Sequence, residues 1–376
     1  MHRLVVLLAL AACGCGVGGH RILDDGCELT DERNIADLIG PAPDDVVLVG
    51  EPTPSHLAWS ERAGLFVRAL DEGAPMERLG AACDGGLATS GGLLACARRG
   101  DDAKADEGHV AIYDPRDGTV RARAAGVGPD GAGVGLAVDG DRIAIVWSRA
   151  RGASSAVYLQ EPGRDPMRIS RDGVRAGRPS VLWERSRPGA APALVAAWPE
   201  TWTSPEGRVV GAVVAFEDGR PRELEPIAYD RAHPSLRHGP EGEALLVFRD
   251  RRPAGSRPRL FVRRLGRRDV ARDGVHANAD GEALAVPCAG AVVLVAPRTH
   301  SRAERIVAIR RHDAATLEGA GPEHQVYEHG AAFEHADARC VGHDLLIAVA
   351  SRATIERPNG EVGTVRFRCP DPSATP

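Results

Sequence analysis

Six arginines, Arg62, Arg99, Arg149, Arg251, Arg298 and Arg352, each stand one to three residues after a run of β-forming residues that closes on an apolar side chain. A guanidinium presents a rigid fork of donors that matches carboxylate and phosphate oxygens two at a time. Gathered on one face, such a set would recruit an anionic partner: a uronic-acid glycan, a lipopolysaccharide phosphate or an acidic peptide. That binding would weaken with salt, because surface charges are screened over about 8 Å at physiological ionic strength. The competing reading is structural. Each arginine then pairs with a nearby acid, such as Asp101 or Asp250, and braces its own unit.

Other groupings carry less chemistry. Glu323-His324, Glu328-His329 and Glu334-His335, with Asp337 and His343 nearby, combine imidazole and carboxylate as transition-metal sites do. Their spacing is not that of H-E-x-x-H, and alternation along strands sends some of them outward, so no metal is expected. Asp101, Asp102, Asp106 and Glu107 lack the regular spacing of a calcium loop and read as a solvated turn. Gly126-Val-Gly-Pro-Asp-Gly131 fits G-x-G-x-x-G, but a proline interrupts it and strands follow where a phosphate-binding helix should begin. It reads as a loop. Without a G-x-S-x-G elbow, no catalytic residue is assigned and no cofactor is expected.

The elements that must position the arginines repeat. The runs close on Trp59, Cys96, Trp147, Trp198, Phe248, Ala296 and Ala350, at intervals of 37 to 54 residues. Self-similarity at such a period marks a propeller or solenoid. Ile169-Ser-Arg-Asp-Gly-Val-Arg-Ala176 also returns as Val270-Ala-Arg-Asp-Gly-Val-His-Ala277, two periods later. Within each unit, short β-branched runs alternate with Gly, Pro, Asp and Ser punctuation, and helical periodicity is almost absent. The fold class is therefore all-β: a single β-propeller of seven four-stranded blades, with six as the alternative. Blade boundaries fall near 44–80, 81–125, 133–170, 174–228, 230–272, 276–328 and 331–369. In such a blade the first strand leaves one face and the second returns to it, so the six arginines gather on that face.

The last unit lacks a fourth strand, and an open blade leaves an unpaired edge. Closure between N- and C-terminal segments is expected, with Val46-Val-Leu-Val49 or residues near 22 as the donor. Thr30 to Ile39 reads as a short helix, with Thr30 as its cap and acidic residues in its first turn.

Pro179-Ser-Val-Leu-Trp183 with Leu194-Val-Ala-Ala-Trp198, and Pro234-Ser-Leu236 with Leu245-Leu-Val-Phe-Arg-Asp-Arg-Arg252, resemble the sialidase-like propeller repeats of secreted and surface bacterial proteins. The likeness spans about residues 44 to 369 and is densest from 133 to 275. It implies the fold and not the enzyme. The Asp-box (Ser-x-Asp-x-Gly-x-Thr-Trp) does not occur, Asp117-Gly-Thr-Val120 being at best a remnant, and no catalytic Tyr, Glu or arginine triad carries over.

Residues 1–13 have the layout of a secretory signal, with His2-Arg3, an apolar run from Leu4 to Leu10, and Leu10-Ala-Ala-Cys13 as a lipobox. Lipidation at Cys13 by palmitate-type chains would anchor a bacterial lipoprotein, and Gly14 in place of Asp favours the outer membrane of the cell envelope. Residues 14–43 then form a tether and a short N-terminal segment, 44–369 the propeller, and 370–376 a tail. Export permits disulfides. Cys27 with Cys369 would lock the ring, contributing about 4–5 kcal/mol on a chain-entropy model; Cys83 with Cys96 and Cys288 with Cys340 are the other expected pairs.

Composition is that of a soluble globular chain, 43% apolar and 26% charged. A net charge of −5 argues against nucleic-acid binding. Three functions compete: a membrane-anchored, non-enzymatic module that binds an anionic glycan or an envelope protein; a hydrolase or lyase acting on saccharides; and a structural part of an envelope assembly. Five or more acidic and arginine residues converging on one mouth pocket would favour the enzyme.

Overall fold

The computed structural model describes residues 27–38, 43–101, 107–128, 133–185, 191–217, 219–227, 233–250, 259–265, 272–276, 282–299, 305–326, 332–353 and 359–369. Residues 1–26, which include the expected signal segment and Cys13, together with Arg251 and residues 370–376, lie outside these residues. The described elements are all strands.

Strand β1 (Glu28–Asp37) precedes a succession of antiparallel meanders. The first comprises β2 (Pro43–Val49), β3 (His56–Glu61), β4 (Gly64–Ala69) and β5 (Met76–Gly80). The next holds β6 (Gly86–Ser90), β7 (Leu93–Arg98), β8 (His109–Tyr113) and β9 (Val120–Ala125). A nine-stranded sheet comes third. It contains β10 (Val134–Asp139), β11 (Arg142–Arg151), β12 (Ser154–Gln160), β13 (Met167–Arg168) and β14 (Arg175–Ala176). Its remaining strands are β15 (Ser180–Glu184), β16 (Ala193–Thr203), β17 (Val209–Glu217) and β18 (Arg220–Ile227). Four strands form the next sheet: β19 (Ser235–His238), β20 (Ala244–Asp250), β21 (Arg259–Arg264) and β22 (Arg272–His276). An eight-stranded sheet ends the chain. It begins with β23 (Leu284–Cys288), β24 (Ala291–Thr299), β25 (Arg305–Asp313) and β26 (Gly319–Val326). To these it adds β27 (Ala332–Val341), β28 (Asp344–Arg352), β29 (Glu361–Arg368) and, at its edge, β1.

Hydrogen bonding thus groups the strands into five sheets, not the seven expected. The two large sheets explain the difference. In one, β14 pairs with both β12 and β16 and so joins the strands from β10 to those ending at β18. In the other a single parallel bridge, Arg305 to Ala332, joins β25 to β27. The first strands of the meanders close into a ring: β2, β6, β10, β15, β19, β23 and β27 each pack on the next, and β27 packs back on β2.

Closure falls to β1, which pairs antiparallel with β29 from Glu28–Arg368 to Asp37–Glu361. The helix expected over Thr30 to Ile39 does not form among the described residues, which are strand to Asp37. The free edge of β29 offers backbone partners along its whole length, and Leu29, Ile35 and Ala36 pack on the core from the extended chain. These tertiary gains outweigh a weak local helix preference. Val46 to Val49 belong instead to the inner strand β2. Disulfides join Cys27 to Cys369, Cys83 to Cys96 and Cys288 to Cys340, the three pairs expected.

The repeated apolar positions are a packing device. Trp59, Cys96, Trp147, Trp198, Phe248, Ala296 and Ala350 all lie on the second strand of a meander and are all buried. Trp59 stacks on Phe66, Trp147 on Tyr158 and Phe248 on Phe261, each from second strand to third, at 5.7, 5.9 and 5.6 Å between centroids. Neighbouring units then share cores: Leu182, Val195 and Val213 pack with Leu236, Leu246 and Phe248. Each large side chain so buried contributes about 1.5–3 kcal/mol. Tight hairpins set the register. Gly91 and Gly92 both take positive φ, 57° and 76°, as a two-residue loop between β6 and β7 requires.

Candidate functional site

Charged side chains from the starts of the inner strands converge on the axis around a cavity of about 210 Å³. Asp45 comes from β2, Arg178 and Glu282 stand two residues before β15 and β23, and His335 and Asp337 come from β27. Arg237 of β19 lines the deeper wall, and His233, just before β19, is also at the cavity.

Local irregularity aims several of these groups. The β2 register shifts between Pro43 and Asp45, and the β27 register between Phe333 and His335. Such bulges re-aim side chains. Asp44 accepts a hydrogen bond from Ser60 Oγ at 3.1 Å, whereas Asp45 accepts one from the Leu87 amide at 2.9 Å and faces the cavity. Arg178 precedes a proline, which holds it extended. His233 stands before Pro234-Ser235 as Arg178 stands before Pro179-Ser180, one phase of the repeat.

Arg178 Nη2 lies 3.1 Å from both Asp45 Oδ2 and Glu282 Oε2. Burial works against its charge, but Glu282 and Asp45 outweigh that and hold the guanidinium above its usual pKa. His335 Nδ1 is 3.6 Å from Asp45 Oδ1, an electrostatic neighbour beyond hydrogen-bond range. Burial, with Asp84 and Asp45 close by, raises the Asp44 carboxyl, against the hydrogen bond from Ser60 and the attraction of His335. Arg237 Nη2 donates to Asp337 Oδ1 at 2.7 Å, and Asp337 Oδ2 accepts the Leu48 amide at 2.9 Å. Carboxylates and guanidiniums are therefore interleaved, and the cavity offers donors and acceptors together.

The arginines singled out in the sequence lie elsewhere. Arg62 and Arg99 immediately follow the second strands β3 and β7, Arg149 is near the end of β11, and Arg352 ends β28. Registers such as Asp45–Ser60, Val134–Trp147 and Ala332–Arg352 put these ends beside the starts of the inner strands. They share the cavity's face without lining it. Arg149 Nη2 is 2.8 Å from Glu107 Oε1, and Arg352 Nη1 is 3.5 Å from Glu334 Oε1. Arg298 is on β24. Arg251 lies outside the described residues.

The late histidines are dispersed. Glu323 and His324 are on β26, Glu334 and His335 on β27, and His343 Nδ1 contacts the Cys369 carbonyl at 3.1 Å. Glu328 and His329 lie outside the described residues. Among the described residues no cluster of His, Cys, Asp or Glu has the makings of a metal site. Asp117, the partial Asp-box, accepts hydrogen bonds from the Thr119 amide and hydroxyl in the turn from β8 to β9. Sequence reasoning missed Asp45, Arg178, Arg237 and Glu282. Their signal was the position just before or early in each first strand, whereas attention fell on the end of the second.

No known protein family matches the sequence, and no curated protein does. Solved structures do. The β-propeller domain of Cps50 (Swd1) from Myceliophteria thermophila superposes with a TM-score of 0.51 at 12% identity, covering 89% of this chain and 99% of that one. The fold is a β-propeller. Polysaccharide lyase Uly1 matches with a TM-score of 0.48 at 7% identity, over 89% of this chain and 91% of that one. A Trypanosoma rangeli sialidase in complex with sialic acid matches with a TM-score of 0.42 at 10% identity, over 84% and 59%.

Proposed function

We propose that this propeller is a lipid-anchored binding module of the cell envelope, and that its axial cavity receives one sugar of an acidic glycan. The observation that carries the reading is the convergence of Asp45, Arg178, Arg237, Glu282 and Asp337, from separate inner strands, on one cavity. Interleaved charges of both signs suit a hydroxyl-rich residue, which donates and accepts at every position. The arginines at the ends of the second strands would meet the acidic groups of neighbouring sugars. We read the two large sheets as two fused blades each, which makes the ring one of seven.

The same five acidic and arginine residues meet the condition stated for a hydrolase or lyase acting on saccharides, which is the second reading. That reading rests on fold-level analogy for its reaction class. Binding stays first because Asp45, Glu282 and Asp337 are each engaged by Arg178 or Arg237.

The test is an array of acidic and neutral oligosaccharides at low and moderate salt, with Glu282→Gln and Arg149→Ala beside wild type. Acidic glycans should bind, Glu282→Gln should weaken them, and Arg149→Ala should lessen the salt dependence. Hits confined to neutral glycans, or unchanged in both variants, would end the reading. Incubating the hits and looking for new reducing ends or unsaturated uronates separates enzyme from binder.

A further inference from the structure

A second cavity, of about 280 Å³, lies beyond the first along the axis. Thr89, Leu136, Val181, Leu236 and Arg237 line both, so the two are neighbours in one channel. The second cavity is bounded by the far ends of the inner strands, including His238 of β19, Pro287 of β23 and Cys340 of β27. Its walls are mainly aliphatic, with Leu182, Ala285, Val286 and Ala338 besides the shared leucines and valine.

Two arginines line this apolar space, Arg237 and Arg339. They share a single carboxylate. Asp337 Oδ1 is 2.7 Å from Arg237 Nη2 and 3.4 Å from Arg339 Nη1. Its Oδ2 is already committed to the Leu48 amide. Glu51, exposed at the rim, is in an ion pair with neither arginine. Arg237 Nε is buried and has no hydrogen-bond partner among the described residues. Burial, followed by repulsion from Arg339, lowers the Arg237 pKa against the attraction of Asp337, Glu282 and Glu51. Two arginines that share one buried carboxylate thus border an apolar space, where their charge is costly.

We infer that this second cavity is a binding site for a small monocarboxylate with a compact apolar body. A carboxylate matches the guanidinium fork and gives the two arginines a second acid to share, while the apolar body covers the aliphatic wall. A phosphate dianion would bring a second charge into the same apolar space, and each buried charge carries a desolvation cost. The site adjoins the glycan cavity and shares Arg237 with it, but Arg339 lines only the second cavity, and Arg178 and Glu282 only the first.

Ligand-observed NMR on the full chain tests this with benzoate, benzamide and inorganic phosphate as probes. Benzoate should bind in preference to both others. Arg339→Gln leaves Arg237 and Asp337 as a matched pair, so it should keep the fold and weaken benzoate about tenfold or more, the loss of a charge-assisted contact. Arg339→Lys should restore part of it. Val286→Phe, which narrows the cavity without touching a charge, should also reduce binding, while Glu282→Gln, which removes an acid that attracts Arg237, should not weaken it. Equal binding of benzamide, stronger binding of phosphate, undiminished binding to Arg339→Gln, or no benzoate binding at millimolar concentration would each overturn the assignment. Loss of glycan binding in Glu282→Gln with benzoate retained would separate the two sites.

Discussion

Asp337 on β27 accepts a 2.7 Å hydrogen bond from Arg237 on β19, a side chain 100 residues earlier in the chain. The carboxylate also accepts the Leu48 amide of β2, so one side chain ties three inner strands together across the axis. Asparagine in its place keeps an acceptor for the amide and removes the counter-charge of Arg237 and Arg339. Stranding a buried charge costs about 3–5 kcal/mol, so Asp337→Asn should lower the unfolding midpoint markedly in urea. Adding Arg339→Gln removes one stranded cation, and the double variant should recover part of the loss. A purely additive cycle would show that the three groups are not coupled.

Asp114 supplies a pH-dependent contribution. Its buried carboxylate is bound by Arg116 at 2.7 Å and Arg121 at 2.8 Å. The hydrogen bonds from Arg116 lead in holding it well below the usual carboxylate range; burial works the other way, and Arg121 adds a further lowering. A depressed folded-state pKa stabilises the fold fully above the unfolded-state value near 4 and progressively less as pH falls below it. Asp114→Asn should therefore cost about 1–2 kcal/mol at pH 7, below the usual range for hydrogen bonds to charged groups because both arginines are largely exposed and screened. The gap between variant and wild type should shrink below pH 4 in chemical denaturation at a series of pH values. A gap that stays constant to pH 2 would assign the cost to shape instead of charge.

The architecture was legible because it repeats. Trp147, Trp198 and Phe248 recur about 50 residues apart and, like Trp59, are buried on the second strand of their unit. Cys288 with Cys340 could be read from repeat phase, Cys83 with Cys96 from their place in one unit, and Cys27 with Cys369 from their flanking the folded body. The features that did not carry through were decided by partners far away in sequence. Thr30 to Asp37 has a helix-like local signal, yet the edge of β29 makes it a strand. Sheet boundaries turned on Arg175 and Arg305, where isolated bridges merge neighbouring meanders. The cavity escaped notice for the same reason. Asp45, Arg178 and Glu282 are each unremarkable locally and become a cluster only when the ring closes.

Cys27 and Cys369 flank the β1–β29 pairing and fix both ends of the ring. Their separation of 342 residues makes the cross-link a strong constraint on the unfolded chain, about 4–5 kcal/mol in the entropy model. Cys27→Ser with Cys369→Ser should lower thermal stability more than Cys83→Ser with Cys96→Ser, whose separation is 13 residues. The double variant should still close through β1. Truncation to Leu38 removes the strand as well as the bond, exposes the β29 edge and should produce aggregation. Equal stability of the two double variants in calorimetry would mean that β1 pairing alone holds the ring.

The anchor is the remaining test, and it bears on where the cavity meets its ligand. Leu10-Ala-Ala-Cys13 ends an apolar run of Leu4 to Leu10. A run that short is not a membrane span, since crossing needs about 20 apolar residues. Attachment through lipid is then the means by which this segment would hold the protein at a bilayer, and more than one acyl chain is needed for stable anchoring. Labelled palmitate should enter the wild-type protein in a bacterial host and not Cys13→Ser. The variant should also leave the membrane fraction, with its three disulfides intact on non-reducing peptide mapping. Equal labelling of both proteins would refute lipidation at Cys13. Equal membrane retention without labelling would place the attachment in a protein contact instead.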